Sequence, residues 1–220
     1  MIVAIDGPAA SGKSTTAKMV AKKLKMTYLD PGAMYRAVTL ALLRSNTDLD
    51  DYDSVCQVVD KLELDIYDQG AKTVLKLNGE DVSQVIRSMP VTENVSAVSA
   101  MKYVREAMVE IQRNIGKKTN CVVEGRDIGT VVFPNAEFKI FMVADIKMRA
   151  ERRLKELHEM GEDWSLQEVL ADLKMRDEKD STRAHSPLKK AEEAIEIDTS
   201  MLSIDHQVEK IINIVIEKNN

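Results

Sequence analysis

Gly7-Pro8-Ala9-Ala10-Ser11-Gly12-Lys13-Ser14 fits the pattern G-x-x-x-x-G-K-[ST] at every position, and each fixed residue has a chemical reason to be there. Glycine at 7 and 12 lets the backbone turn so that successive N–H groups point inward and surround phosphate oxygens. A helix beginning near Lys13 would aim the positive end of its dipole at the same anion. The Lys13 ammonium would reach the β- and γ-phosphates, and the Ser14 hydroxyl would ligate Mg2+. The expectation is a loop that binds a nucleoside triphosphate through Gly7 to Ser14.

Glycine is otherwise scarce. The chain has nine, where average usage would give roughly fifteen, and five of them are Gly7, Gly12, Gly32, Gly125 and Gly129. The last three stand beside arginine, in Asp30-Pro31-Gly32-Ala33-Met34-Tyr35-Arg36 and Glu124-Gly125-Arg126-Asp127-Ile128-Gly129. Each segment follows a predicted strand, and ligands of open α/β sheets gather at the carboxyl ends of strands. Arg36 and Arg126 are therefore expected to face the phosphate loop across one crevice and to hold a second phosphate, supplying cations that the loop does not. Arg149, Arg152 and Arg153 stand at i, i+3 and i+4, on one helical face. They read as a lid that closes on the phosphates and excludes water, with Arg152 the residue expected on the phosphates and Gly161 a hinge. A phosphate acceptor is already anionic, so no strong general base is needed. His158, His185 and His206 lie in polar stretches and are expected at the surface.

The elements that must position these residues follow from periodicity. Residues 1–6 read as a strand, and a helix follows with Ala17, Val20, Ala21 and Leu24 on one face. A brief strand over 27–29 meets Asp30-Pro31-Gly32, a turn signal before a helix from about Ala33 to Arg44. A third helix is capped from the acidic run 48–51. Residues 64–90 alternate in the manner of a small antiparallel insertion, with turns at Asp68-Gln69-Gly70 and Asn78-Gly79. Helical spacing returns after Pro90, with Val104, Met108, Ile111 and Ile115 in one stripe and Gly116 as C-cap. Buried strands are expected at 121–123 and 139–143, helices over about 146–158 and 165–178, a last strand at 195–197, and a closing helix through Val208, Ile211, Ile212 and Val215. Ser165 and Glu168 have capping-box spacing. Strands alternating with helices give a doubly wound α/β fold of about five parallel strands flanked by helices. A single domain is expected: a core of about 1–35, 117–145 and 186–220, a region of about 36–116 that carries the insertion, and a helical lid of about 146–185.

Composition bounds the partners. Of 220 residues, 44% are hydrophobic and 30% charged, with 31 Lys and Arg against 36 Asp and Glu for a net charge of −5. That argues against extended nucleic acid or an anionic membrane, whose binding needs a basic surface. It leaves room for a local cationic pocket. Cys56 and Cys121 have no CxxC spacing, which fits a reducing compartment. No basic leader or long apolar run is seen, so the expectation is a cytoplasmic protein off the membrane. The chain lacks the [NT]-K-x-D of GTPases and the LSGGQ-like signature of ABC motors. From the residues alone, kinases for several small acceptors and a slow ATP-hydrolysing switch stay open.

The residues also carry a specific resemblance. Gly7–Thr15, Gly32-Ala33-Met34-Tyr35-Arg36, Val104-Arg105-Glu106, Gly125 through Val132, and Arg176-Asp177 through Asp180, Arg183 and Pro187-Leu188 are similar to the bacterial cytidylate kinase family over essentially the full length. The resemblance implies a P-loop nucleoside monophosphate kinase fold. It also implies phosphoryl transfer from ATP to CMP or dCMP with Mg2+, by a monomer. It implies that Ser96, Arg105 and Asp127 read the cytosine edge and that Arg36, Arg126 and Arg183 hold the acceptor phosphate. Arg176 and Asp180 would contact the sugar hydroxyls, and Tyr35 would line the acceptor site. Lys13, Arg126, Arg152 and Arg183 would supply catalytic charge. Two departures stand out: Pro31 where the family commonly has Ser or Thr, and Glu124 where it usually has Asp. Glu124 would hold Mg2+-bound water behind Ser14.

Overall fold

Strand β1 (Ile2–Asp6) is buried at all five positions, as a central strand with covered faces must be. In the computed structural model, which describes residues 1–68 and 73–217, β1 pairs in parallel with β6 (Cys121–Gly125) on one side and β7 (Phe138–Val143) on the other. Strand β2 (Thr27–Leu29) flanks β6 and β8 (Ile195–Asp198) flanks β7, so five parallel strands run in the order β2-β6-β1-β7-β8. The five-stranded parallel sheet expected from periodicity is present. Asp6 lies level with Gly125 and Phe141, so the loops after β1 and β6 leave the sheet at the same end.

The chain divides into two compact units, Met1–Leu29 with Thr119–Asn220, and Asp30–Lys118. The first holds the sheet. Helix α1 (Lys13–Leu24) buries Ala17, Val20 and Ala21 against Val3, Ile5, Val122, Ile140 and Met142, together with Val208, Ile211 and Val215 of α8 (Ile204–Glu217). Helices α6 (Ile146–Glu159) and α7 (Leu166–Thr182) form their own small core of Ala150, Leu157, Val169 and Leu173, to which Ala9 of the phosphate loop is added. The Ser165–Glu168 capping box forms in both directions, with 3.3 Å and 2.8 Å bonds. Helix α7 runs to Thr182, one turn past the end expected near Glu178. Gly161, in the connection between α6 and α7, has φ +83°, a conformation glycine adopts at little cost.

Among the described residues, the second unit holds four α-helices and a three-stranded antiparallel sheet; the insertion expected over 64–90 is strand only as far as Asp81, and Val85–Arg87 and the chain from Met89 are helical. Helices α2 (Pro31–Arg44) and α3 (Tyr52–Val59) precede β3 (Leu64–Asp68), β4 (Thr73–Leu77) and β5 (Glu80–Asp81). Helices α4 (Met89–Ala100) and α5 (Lys102–Gly116) follow. Asn78 and Gly79 join β4 to β5 with φ of +49° and +82°, both positive as a tight hairpin turn requires. The turn expected at Asp68-Gln69-Gly70 falls largely on residues 69–72, outside the described part.

Three local expectations are corrected. Asp30-Pro31-Gly32 is not a turn before a helix but the helix start: the Asp30 carboxylate accepts the Ala33 N–H at 3.0 Å and Pro31 takes the first position, where a missing N–H costs nothing. Helical structure after Pro90 is two helices, because Met101 is extended (φ −66°, ψ 124°) between them. Gly116 is the last residue of α5, and its C-cap is Lys117 in right-handed geometry.

Candidate active site

The phosphate loop is held by its surroundings residue by residue. Gly7 leaves β1 with φ +152°, and a Cβ there would lie 2.1 Å from the Met142 carbonyl oxygen, so no side chain fits. Gly12 caps α1 with φ +92° beside the Gln207 side chain. Buried Gln207 accepts the Thr16 hydroxyl at 2.7 Å and donates to the Leu202 carbonyl at 3.0 Å. Buried Thr199 donates to the Ser11 carbonyl at 2.9 Å and the Val143 carbonyl at 3.0 Å. Lys13 is buried and folded back over the loop, donating to the Pro8 carbonyl at 2.6 Å and the Ser11 hydroxyl at 3.4 Å. Burial first, and the nearby Arg126 second, bring its ammonium down from 10.5 to about 7, against the attraction of Glu124, Asp6 and Asp180. An anion at the loop would restore the proton.

Beside the loop, the Glu124 carboxylate at the end of β6 accepts the Ser14 hydroxyl at 2.5 Å and the Tyr28 hydroxyl at 3.3 Å. The Glu124 side chain thus reaches Ser14 directly. A hydroxyl and a carboxylate so placed are the hard oxygen donors a small divalent cation takes. No cluster of three or more His, Cys, Asp or Glu able to hold a metal occurs among the described residues.

Asp6, the residue before Gly7, was not expected as a site residue. Its carboxylate accepts the N–H groups of Ile128 at 2.8 Å and Gly129 at 2.7 Å, which open one π-type helical turn at Ile128–Val132. It thereby fixes Arg126 and Asp127 relative to the phosphate loop. Burial raises its pKa from 3.8 to about 6 despite those two donors. The available signal was its position: a carboxylate ending an otherwise apolar strand.

The expected acceptor residues of the first unit come together as two ion pairs. The Arg126 Nε donates to Asp180 at 2.8 Å, and an Arg183 terminal nitrogen lies 3.6 Å from Asp127. Arg126 pairs with Asp180 and not with its neighbour Asp127. Arg183 also donates to the Ser186 carbonyl at 2.7 Å. Arg176 lies 3.8 Å from Asp172, and burial lowers its pKa below the ordinary arginine value. Arg152, expected on the phosphates, here points to the turn after β8, donating to the carbonyls of Thr199 at 2.5 Å and Ser200 at 3.2 Å. Arg153 pairs with Glu156 at 3.1 Å. Arg149, named only as a member of the basic face, is the buried one of the three.

In the second unit, Arg105 of α5 is buried, stacks 5.5 Å from the Tyr35 ring centroid, and donates to the Ser99 carbonyl at 3.1 Å. Ser96, one turn before Ser99 on α4, is half-buried and accepts the Ser99 hydroxyl on its carbonyl at 3.1 Å. Arg36 of α2 donates to Thr92 at 2.9 Å and to the Ile86 carbonyl at 3.3 Å. Tyr35, Arg36, Ser96 and Arg105 thus sit on three mutually packed helices. Pro31 offers no hydroxyl. The three histidines are exposed, as expected. No helix among the described residues is long and apolar enough to cross a membrane.

Comparison with known proteins agrees with this geometry. The family model described as cytidylate kinase matches residues 3–217. A cytidylate kinase of Fusobacterium nucleatum is 50% identical over 218 residues, covering 99% of this chain and 96% of that protein. Cytidylate kinases of Lactobacillus gasseri and Bacillus anthracis are 47% and 48% identical, each covered over 95% of its length by 99% and 97% of this chain. Among solved structures, an uncharacterized protein from Eubacterium ventriosum has a TM-score of 0.54 at 14% identity, covering 99% of this chain and 98% of that one. TT1252 from Thermus thermophilus has 0.53 at 15% identity, covering 100% and 98%. These two share the fold. With a phosphate loop intact in sequence and in geometry, the chain belongs to the cytidylate kinase family.

Proposed function

We propose that the chain transfers the γ-phosphoryl group of ATP to CMP or dCMP, giving ADP and CDP or dCDP. The observation that carries the reading is the buried Lys13. Its ammonium sits inside a complete phosphate loop, bonded only to neutral oxygens by the contacts given above, beside the Gly125-Arg126-Asp127 loop that Asp6 pins in place. The acceptor oxygen is anionic at neutral pH, so the protein's work is in-line positioning and neutralisation of charge. Lys13 and the backbone N–H groups of the loop would hold the donor phosphates. Arg126 and Arg183, on leaving Asp180 and Asp127, would take the acceptor phosphate, with Arg36 as a further donor. The Asp127 carboxylate would then be available to accept from the cytosine amino group, while Arg105 and Ser96 would donate to or accept from the ring edge. Arg176 and Asp180 would meet the sugar hydroxyls. Ser14 and, through water, Glu124 would hold Mg2+, which supplies positive charge at the phosphates when bound. Arg152 would turn from its present carbonyl partners to the phosphates when α6 and α7 close.

This reading places the protein in pyrimidine nucleotide metabolism of the cytoplasm, acting as a monomer. Release of ADP from ATP and Mg2+ is measured with a panel of nucleoside monophosphates. CMP and dCMP should stimulate it well above UMP, AMP and GMP. Equal stimulation by all of them, or none by CMP, would refute the assignment.

A further inference from the structure

A buried guanidinium joins the donor loop to the helix that carries acceptor-side residues. Arg149, in the second turn of α6, is 5% exposed. It donates through Nε to the Ala144 carbonyl at 3.1 Å and through one terminal nitrogen to the Ala9 carbonyl of the phosphate loop at 3.1 Å. Both terminal nitrogens meet the Asp177 carboxylate of α7, at 3.1 Å and 2.7 Å. Ala9 also packs into the apolar cluster of α6 and α7 with Leu157, Val169 and Leu173. One turn beyond Asp177, Asp180 holds Arg126 at 2.8 Å, and α7 ends at the Arg183 cap. Two carboxylates one helical turn apart thus tie α7 to both loops that leave the sheet at its ligand end.

A buried ion pair is weak evidence of stabilisation, because desolvation offsets most of its attraction. A bidentate fork fixes position instead: an arginine meets a carboxylate in one plane, and a lysine cannot. Arg149 has donors left over after Asp177, and they go to backbone carbonyls whose position matters to the donor phosphates. We propose that Asp177 is a positioning residue which, through Arg149, sets the register between the phosphate loop at Ala9 and the acceptor-side residues Arg176, Asp180 and Arg183 on α7. Asp177 itself need touch neither nucleotide. The proposal rests on the kinase reading for its acceptor half but not for its donor half.

The test uses the whole enzyme carrying Asp177→Asn, Arg149→Lys, or both, with folding checked by far-ultraviolet circular dichroism. Each single variant should lower kcat roughly 100-fold, the scale of a misplacement of about 1 Å, and should weaken ATP binding roughly tenfold in calorimetry without acceptor. The double variant should be no worse than either single one, since the two residues act as one unit. Folded variants with wild-type ATP affinity and kcat, or losses that multiply in the double variant, would overturn the proposal. Arg149→Lys decides the matter should Asp177→Asn not fold. If the wild type fails to phosphorylate CMP, the kinase reading falls, while the change in ATP affinity still judges Asp177.

Discussion

Lys13 and Arg126 are both cations suited to phosphate, yet the protein holds them in opposite ways. Lys13 is buried and its hydrogen bonds go to a carbonyl and a hydroxyl, so no carboxylate competes directly for it. Burial first, and the nearby Arg126 second, lower its pKa to about 7. Arg126 and Arg183 are paired with Asp180 and Asp127, and on the proposed reading an acceptor would exchange those pairs to bind. The donor loop is therefore preorganised, with Thr199 and Arg149 bonded to its carbonyls and Gln207 packed beside Gly12. The proposed acceptor side is self-neutralised, so binding there would depend on a ligand that offers replacements for both members of each pair.

The contrast can be broken most sharply at Lys13. Lys13→Ala should lower kcat by about 10²–10³-fold, the cost of one preorganised electrostatic donor, in steady-state assays. Thermal melting should show no loss of fold, since a costly buried amine is removed. A kcat within tenfold of wild type would mean that the loop cation is dispensable and the contrast empty.

Asp127→Ala tests the other side. It should cut discrimination of CMP over UMP, read as the ratio of kcat/KM values, by about 1–3 kcal/mol. Unchanged discrimination would confine Asp127 to its pair with Arg183.

Asp6→Asn probes the link between the two regions. One of the Ile128 and Gly129 N–H groups would lose its carboxylate acceptor, and unfolding in urea should show a loss of about 1–3 kcal/mol. The pH dependence has a definite sign. The folded pKa of Asp6, about 6, lies above its ordinary 3.8, so its contribution is fully present below about pH 4 and declines as pH rises through 6. The Asn variant should lack that slope.

The smallest effect is a proton count. With Lys13 near 7 in the free protein, ATP binding at pH 8 should take up most of one proton, seen as a buffer-dependent enthalpy in calorimetry. That uptake should be absent in Lys13→Met. The same depressed pKa makes Lys13 erode folding stability as pH falls from about 10.5 to 7, with no further change below.

Residues near one another in the chain were legible without the structure. The phosphate loop declares itself because glycine, lysine and serine at fixed spacing meet local steric and electrostatic demands. The Asn78-Gly79 turn and the Ser165 capping box did so for the same reason. Asp30-Pro31-Gly32 was misread because capping and turn signals share residue types, and only the Asp30 to Ala33 bond separates them. The long-range partners of Asp6, Gln207, Thr199 and Arg149 were not legible, since they lie 28 to 191 residues away.

The amino-acid order by itself determined the alternation of strands and helices, the donor loop and the family, all of which rest on local pattern and contiguous motifs. Tertiary structure alone decided how the charges are apportioned. The same arginines and aspartates could have paired along their own helices or loops. Packing brought Asp180 to Arg126, Asp127 to Arg183 and Asp177 to Arg149, while leaving Lys13 among neutral oxygens. Ion pairing depends on distance and burial after folding, and no spacing along the chain encodes either.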